Sequence, residues 1–168
     1  ARSSEWKAIV ILILLVPVLW SPLLLFRFVL FQPFNIPSSS MAPTLVVGDY
    51  VFAAKYAYGY GRYSFPFAPS FISGRFRAAD PAYGDVVVFT TPKDATVDYI
   101  KRVVGLPGDR IQMRQGQLFL NDKPVARAAL KEVAAGSACG GEIGAKVKRW
   151  RETMPNGASY VTYDCVDN

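Results

Sequence analysis

One pair of side chains in this sequence is suited to nucleophilic chemistry. A serine stands in Ile36-Pro37-Ser38-Ser39-Ser40-Met41-Ala42-Pro43, and a lysine in Asp98-Tyr99-Ile100-Lys101-Arg102. A serine hydroxyl is a weak nucleophile and needs a base beside it. The 168 residues include no histidine, which excludes a Ser-His-Asp triad and any imidazole base. A neutral lysine can take the proton instead, a role closed to arginine. Pro37 and Pro43 stiffen the serine segment, as a fixed nucleophile requires. A Ser-rich linker would have the same composition, and the segment alone does not separate the two.

The element that must position Lys101 reads as a strand. Val97–Val104 alternates, and strand side chains switch faces with period two. One face holds Val97, Tyr99, Lys101 and Val103, and the other Asp98, Ile100, Arg102 and Val104. Arg102 can pair with Asp98 on its own face, while Lys101 stands among apolar neighbours. Burial there disfavours the charged ammonium. An edge-strand lysine whose stem packs while its head reaches water fits the same pattern.

Residues 8–26 carry no charge, and a helix needs about twenty such residues to cross a bilayer. Pro17 and Pro22 are costly in a soluble helix but tolerated in a span. A cleavable signal peptide would end in a small-x-small site. Here Arg27 and the bulky Phe28-Val29-Leu30-Phe31 follow, so the expectation is an uncleaved anchor over residues 8–28. A buried core helix is a third option. Arg2 and Lys7 precede the span, and after Arg27 no basic residue appears before Lys55. The positive-inside rule then places residues 1–7 in the cytoplasm and residues 29–168 outside. Glu5 and Arg27 weaken the asymmetry. The net charge of +6 is scattered and borne by an exported domain, so it points to membrane lipid rather than nucleic acid.

Beyond the anchor the chain reads as mostly β. Val46–Phe52, Asp85–Thr90, Val97–Val104, Ile111–Gln115, Gln117–Leu120 and Ser159–Cys165 are short strand-like runs. Turn signals separate them at Gly48-Asp49, Tyr83-Gly84-Asp85, Leu106-Pro107-Gly108-Asp109, Asn121-Asp122 and Pro155-Asn156-Gly157. Residues 125–135 alone hint at a second helix. The expected architecture is a coiled antiparallel β domain behind one transmembrane helix. Residues 56–76 mix four Tyr and four Phe with Gly and Pro and no acid. Such a loop either packs in the core or forms an interfacial surface. Cys139 and Cys165 are too few for a four-ligand zinc site, so no metal or other cofactor is expected. In an exported domain the two form a disulfide, the alternative being two buried thiols.

The run F-N-I-P-S-S-S-M-A-P-T-L-V-V-G-D-Y, residues 34–50, resembles the nucleophile box of bacterial type I signal peptidases. D-Y-I-K-R-V-V-G-L-P-G-D-R, residues 98–110, resembles their lysine box, and Y-G-D-V-V-V-F the strand before it. The resemblance covers roughly residues 8–125. It implies Ser40 as nucleophile and Lys101 as general base. It also implies an oxyanion hole made by the Ser38 hydroxyl and the Ser40 backbone N–H. Phe34, Ile36, Pro37, Met41 and Leu45 from the first box would form shallow pockets for small side chains beside the scissile bond. Val88, Asp98, Tyr99 and Ile100 would complete them. Such pockets accept Ala-x-Ala-like ends.

The sequence departs from that pattern in places. Ser39 stands where the family usually has Gly, and Ala42 where it often has Met. Ser39 is unstrained only with φ below zero. The family's later Gly-Asp-x-Arg-Asp box does not occur before Asn168, and the chain starts at Ala1, so the expectation is a piece cut at both ends. The implied activity is removal of signal peptides from exported preproteins at the bacterial inner membrane. The single-pass chain would hold its catalytic domain on the periplasmic side. The alternative is an inactive or truncated membrane-tethered β domain that binds exported chains. A self-cleaving repressor of the same chemistry should lack the apolar segment.

Overall fold

In the computed structural model, residues 2–65, 67, 69–91, 96–134, 139 and 146–165 are described. Helix α1 covers Arg2–Leu25, with Pro17 and Pro22 inside it, and a π-type turn, Phe26–Leu30, ends it. All side chains from Ile9 to Leu23 are exposed. Among the described side chains, which run unbroken in α1 only over that stretch, no helix is long and apolar enough to cross a membrane. The expected transmembrane span therefore appears as a helix, without its membrane role being defined.

The rest of the described regular structure is β, apart from short 3₁₀ turns at Ser39–Met41 and Arg62–Ser64. The strands are β1 Phe31–Asn35, β2 Tyr50–Ala54, β3 Tyr60–Gly61, β4 Arg75–Phe76, β5 Val86–Thr90 and β6 Asp98–Arg102. They continue with β7 Ile111–Arg114, β8 Gln117–Leu120, β9 Lys123–Pro124, β10 Ala126–Ala134, β11 Lys146–Thr153 and β12 Ser159–Asp164. They form small sheets: β1-β2, β3-β4, β5-β6, β7-β8-β9 and β10-β11-β12. The β3–β4, β5–β6, β7–β8, β8–β9, β10–β11 and β11–β12 pairings are all antiparallel.

Two compact units share the chain. The first comprises residues 1–33 and 52–80. Its non-helical part is held by few devices. β3 pairs with β4 through Tyr60↔Phe76 and Gly61↔Arg75. Gly59, at φ +78, lets the backbone pass so close that a Cβ there would lie 2.5 Å from the Phe76 and Arg77 carbonyl oxygens.

The second unit comprises residues 34–51 and 81–168. Its core is Leu118, Leu120, Val125, Met154 and Tyr160, with Tyr83, Val104 and Ala158 packed against it. The turn after β6 closes as its sequence demands. Gly108 takes φ +93, and Asp109 accepts from Leu106 N at 2.7 Å, Tyr83 Oη at 2.6 Å and Asn121 Nδ2 at 2.8 Å. These bonds hold the Asp109 carboxyl below its ordinary range, the tyrosine hydroxyl contributing most.

Two sequence expectations fail here. The helix hinted at over residues 125–135 is not found among the described residues there, because Ala126–Ala134 is strand β10; residue 135 lies outside the described residues. Its alanines favour a helix locally, but pairing with β11 from Ala126↔Thr153 to Ala134↔Lys146 overrides that preference. Arg127 also lies over the Trp150 ring across the pair, 4.2 Å from its centroid. Strand β2 begins at Tyr50, later than expected, because Val46–Asp49 is a turn closed by Val46 N donating to Asp49 Oδ2 at 2.9 Å.

Candidate active site

The serine segment is fixed from both ends. Ile36 N donates to Asp49 O at 2.9 Å, and Gly48 N donates to Ile36 O at 3.0 Å. Ser39–Met41 forms a single 3₁₀ turn, closed by Ala42 N to Ser39 O at 2.9 Å, and Leu45 N reaches Met41 O at 3.0 Å. Ile36 is 1% exposed and Met41 7%. With those two side chains buried, Ser40 between Ser39 and Met41 is left exposed. Ser39 is absent from the residues with positive φ, so the serine that replaces the family's usual glycine is unstrained.

The lysine is fixed by register. β5 and β6 pair through Val87↔Lys101, flanked by Val86↔Arg102 and Val88↔Ile100. Pairing continues past β6, with Val103 N to Asp85 O and Gly84 N to Val103 O, both at 2.8 Å. The Ser39–Met41 turn packs against β6. Lys101 is half-buried, and its Nζ hydrogen-bonds Ser40 Oγ. Ser38 Oγ lies 3.2 Å from Ser40 Oγ. A primary amine and a second hydroxyl thus converge on one serine oxygen.

Arg102 does not pair with Asp98, contrary to the alternation argument. Its Nη1 donates to Gly84 O at 2.7 Å and its Nη2 to Thr44 Oγ1 at 3.0 Å. Its guanidinium lies over the Tyr160 ring, 4.5 Å from the centroid. Burial lowers the Arg102 pKa, against the opposing pull of Tyr160. Tyr160 is itself shifted upward, first by burial and then by the Glu152 carboxylate. Glu152 is the buried acid of this unit, 8% exposed, and faces Tyr160 across β11–β12.

Ser40 and Lys101 open on a cleft of ≈ 840 Å³, also walled by Met41, Thr44 and Arg102. Met113, Leu118, Trp150, Glu152, Tyr160 and Thr162 also line it. Among the expected pocket residues only Met41 lies on it. Ile36 is turned into the interior, because its backbone is locked to the Gly48-Asp49 turn. Phe34, Pro37, Leu45, Val88 and Ile100 are absent from the cleft wall, as are Asp98 and Tyr99. Tyr99 instead stacks on Phe89 at a centroid separation of 6.0 Å, both rings exposed. The sequence reading missed Thr44, Trp150, Glu152 and Tyr160. For Trp150, Glu152 and Tyr160 the signal is a cross-strand register, which a single sequence does not display; Thr44 lies in the turn just after the serine segment. Cys139 and Cys165 are joined by a disulfide with Cα atoms 5.1 Å apart.

The family model for "Signal peptidase, peptidase S26" matches residues 3–168. The chain belongs to the signal peptidase S26 family. It is 38% identical over 164 residues to "Signal peptidase I" of Rickettsia canadensis (strain McKiel), covering 96% of this chain and 57% of that protein. It is 43% identical over 143 residues to "Signal peptidase I" of Rickettsia conorii (strain ATCC VR-613 / Malish 7), covering 83% and 51%. To "Signal peptidase I" of Rickettsia massiliae (strain Mtu5) it is 40% identical over 164 residues, covering 96% and 56%. The chain spans about half the length of these curated relatives.

Proposed function

We propose that this S26 chain is the serine/lysine part of a membrane-anchored endopeptidase that removes signal peptides from exported preproteins. The observation that carries the reading is the hydrogen bond between Lys101 Nζ and Ser40 Oγ. With the amine neutral, the Ser40 O–H donates to Nζ. Oγ then attacks the scissile carbonyl carbon while Nζ takes the proton. The tetrahedral oxyanion is met by the Ser38 hydroxyl and the Ser40 backbone N–H. One such donor is worth about 3–4 kcal/mol when aimed at developing charge. The tetrahedral adduct expels the amine of the mature protein, which takes the proton from Nζ. The acyl-enzyme on Ser40 is then hydrolysed by water, with Lys101 again as base. Ala-x-Ala-like ends are the substrate that the family resemblance implies.

Helix α1 is the proposed anchor. Its 24 residues span about 36 Å at 1.5 Å each, enough for a hydrocarbon core of about 30 Å. Ile9, Val10, Ile11, Leu12 and Ile13 are consecutive and all exposed. Successive helical residues turn by about 100°, so these five point all round the axis, as a lipid-facing helix requires. Residues 1–7 then lie in the cytoplasm and the β domain in the periplasm.

A serine-directed penem-type acylating agent tests the reading. The protein in detergent micelles should gain one adduct by intact mass, located on Ser40 by peptide mapping. Ser40→Ala should gain none and should not cleave a preprotein. An adduct at the same level in Ser40→Ala, or cleavage by it, overturns the assignment.

A further inference from the structure

Strand β6 and the serine segment share a second side-chain bond, outside the path of the proton. Arg102 follows Lys101 on β6, and its Nη2 donates to Thr44 Oγ1 at 3.0 Å. Consecutive strand residues leave the strand on opposite faces. Lys101 and Arg102 therefore hold the serine segment from two sides, one at Ser40 and the other at Thr44. Both pairs line the same cleft.

Each end of this second bond is tied back to the site. On the strand side, Arg102 Nη1 donates to Gly84 O at 2.7 Å, and Gly84 N donates to Val103 O at 2.8 Å. The guanidinium also lies over the Tyr160 ring, and buried Tyr160 faces buried Glu152 across β11–β12. A carbonyl at one end and a ring beneath restrict the directions the fork can take. On the serine side, Leu45 follows Thr44 and donates its N–H to Met41 O at 3.0 Å. Met41 is buried and directly follows Ser40. A displacement of Thr44 thus reaches Ser40 through one backbone bond and one anchored side chain.

We infer that Thr44 is a positioning residue: held by Arg102, it fixes the Ser39–Met41 turn so that Ser40 Oγ stays within reach of Lys101 Nζ. This rests on the serine/lysine reading and adds a residue to it. The Lys101–Ser40 bond cannot hold the geometry by itself, because its proton moves and Oγ becomes an ester oxygen during the reaction. The Arg102–Thr44 bond exchanges no proton and persists through both steps. Thr44 touches no reacting atom, so its contribution is to alignment.

The test compares Thr44→Val, which keeps the shape of the side chain without its hydroxyl, with Thr44→Ser, which keeps the hydroxyl. Thr44 is exposed, so neither change should move the thermal midpoint by more than about 2 °C. The protein is assayed in detergent micelles, by acylation of Ser40 with the penem-type agent and by preprotein cleavage. In Thr44→Val both the acylation rate and kcat should fall about tenfold with KM unchanged, a displacement of 1 Å being able to cost about 10²-fold. Thr44→Ser should recover at least about half of the original rate. In Arg102→Met the change Thr44→Val should cost less than about twofold more, because the bond it removes is already gone. Rates within about twofold of the original protein in Thr44→Val overturn the inference. So does a loss carried by KM or by a lowered thermal midpoint, a loss that Thr44→Ser does not repair, or one that is undiminished in Arg102→Met. If the original protein is acylated no faster than Ser40→Ala, the serine/lysine reading falls and this inference falls with it.

Discussion

The serine–lysine site and the aromatic segment are both sets of chemically loaded side chains on a β scaffold, yet they are built in opposite ways. At the site, the two elements are pinned by backbone bonds on both sides, with Ile36 and Met41 buried beneath the serine. In residues 56–76 the strands are two residues long, and Tyr56, Tyr63, Phe67, Phe71 and Phe76 are exposed while Tyr58, Tyr60 and Phe65 are half-buried. Catalysis needs a hydroxyl and an amine held within hydrogen-bond reach, so it needs register. Exposed rings on two-residue strands are held by no such register. The difference predicts that point changes will be lethal to function in the first region and graded in the second.

The largest effect should come from Lys101→Arg. Arginine keeps the length and charge, but its guanidinium does not give up its proton and so cannot accept another. Preprotein cleavage should fall by about 10⁴-fold, within the range for loss of a general base. Thermal stability should hold, because Lys101 is only half-buried and a guanidinium on a similar stem can reach water. Turnover within tenfold of the original protein would break the comparison at its strongest point. In that case the contact with Ser40 would be structural.

Next is a stability contrast between the regions. Ile36→Ala removes a side chain that is 1% exposed and should cost about 2–5 kcal/mol in denaturant unfolding. Phe71→Ala removes a larger side chain that is 85% exposed and should change stability by less than about 0.5 kcal/mol. A comparable loss at Phe71 would mean that the aromatic segment is packed rather than displayed.

These regions also differ in how legible they were from sequence. The turns were readable because Gly and Asp there have local reasons: Gly108 adopts a left-handed φ and Asp109 caps Leu106 N. Ser40 and Lys101 were named from a base requirement and a motif resemblance, and the fold brings them into contact. What failed was everything that depends on which strand lies beside which. β10 was taken for a helix because its alanines carry no β signal until β11 is paired with it. β11, Lys146–Thr153, went unnoticed because its charges hide the alternation, yet it brings Trp150 and Glu152 to the cleft. Ile36 was expected on a pocket wall because the family resemblance implied it. The bonds to Gly48 and Asp49 decide instead that it points inward.

The smallest effect expected is a response to acid confined to one unit. Residues 52–79 of the first unit contain no carboxylate, whereas the second is held in part by Asp109. The Tyr83 hydroxyl, the Leu106 N–H and the Asn121 amide all bond its carboxylate and depress its pKa. A group depressed in the folded state adds stability above its unfolded value, 3.8, and loses it as pH falls through the lower folded value. Lowering pH from 6 to about 2 should therefore loosen the Leu106–Asn121 turn region. The bonds from the Tyr60 hydroxyl to Val29 O and from Lys55 N to Leu30 O involve no titrating acid and should not respond. Native-state hydrogen exchange, corrected for the intrinsic pH dependence of each amide, reads both at once. The amides of Leu106, Asp109 and Asn121 should lose protection, and that of Lys55 should keep it. Asp109→Asn should start from the lower protection and show little further loss at those three positions. Equal loss in both units would mean that acid acts through the net charge of the whole chain rather than through this carboxylate. The register-built region would then hold no acid-sensitive bond that the displayed region lacks.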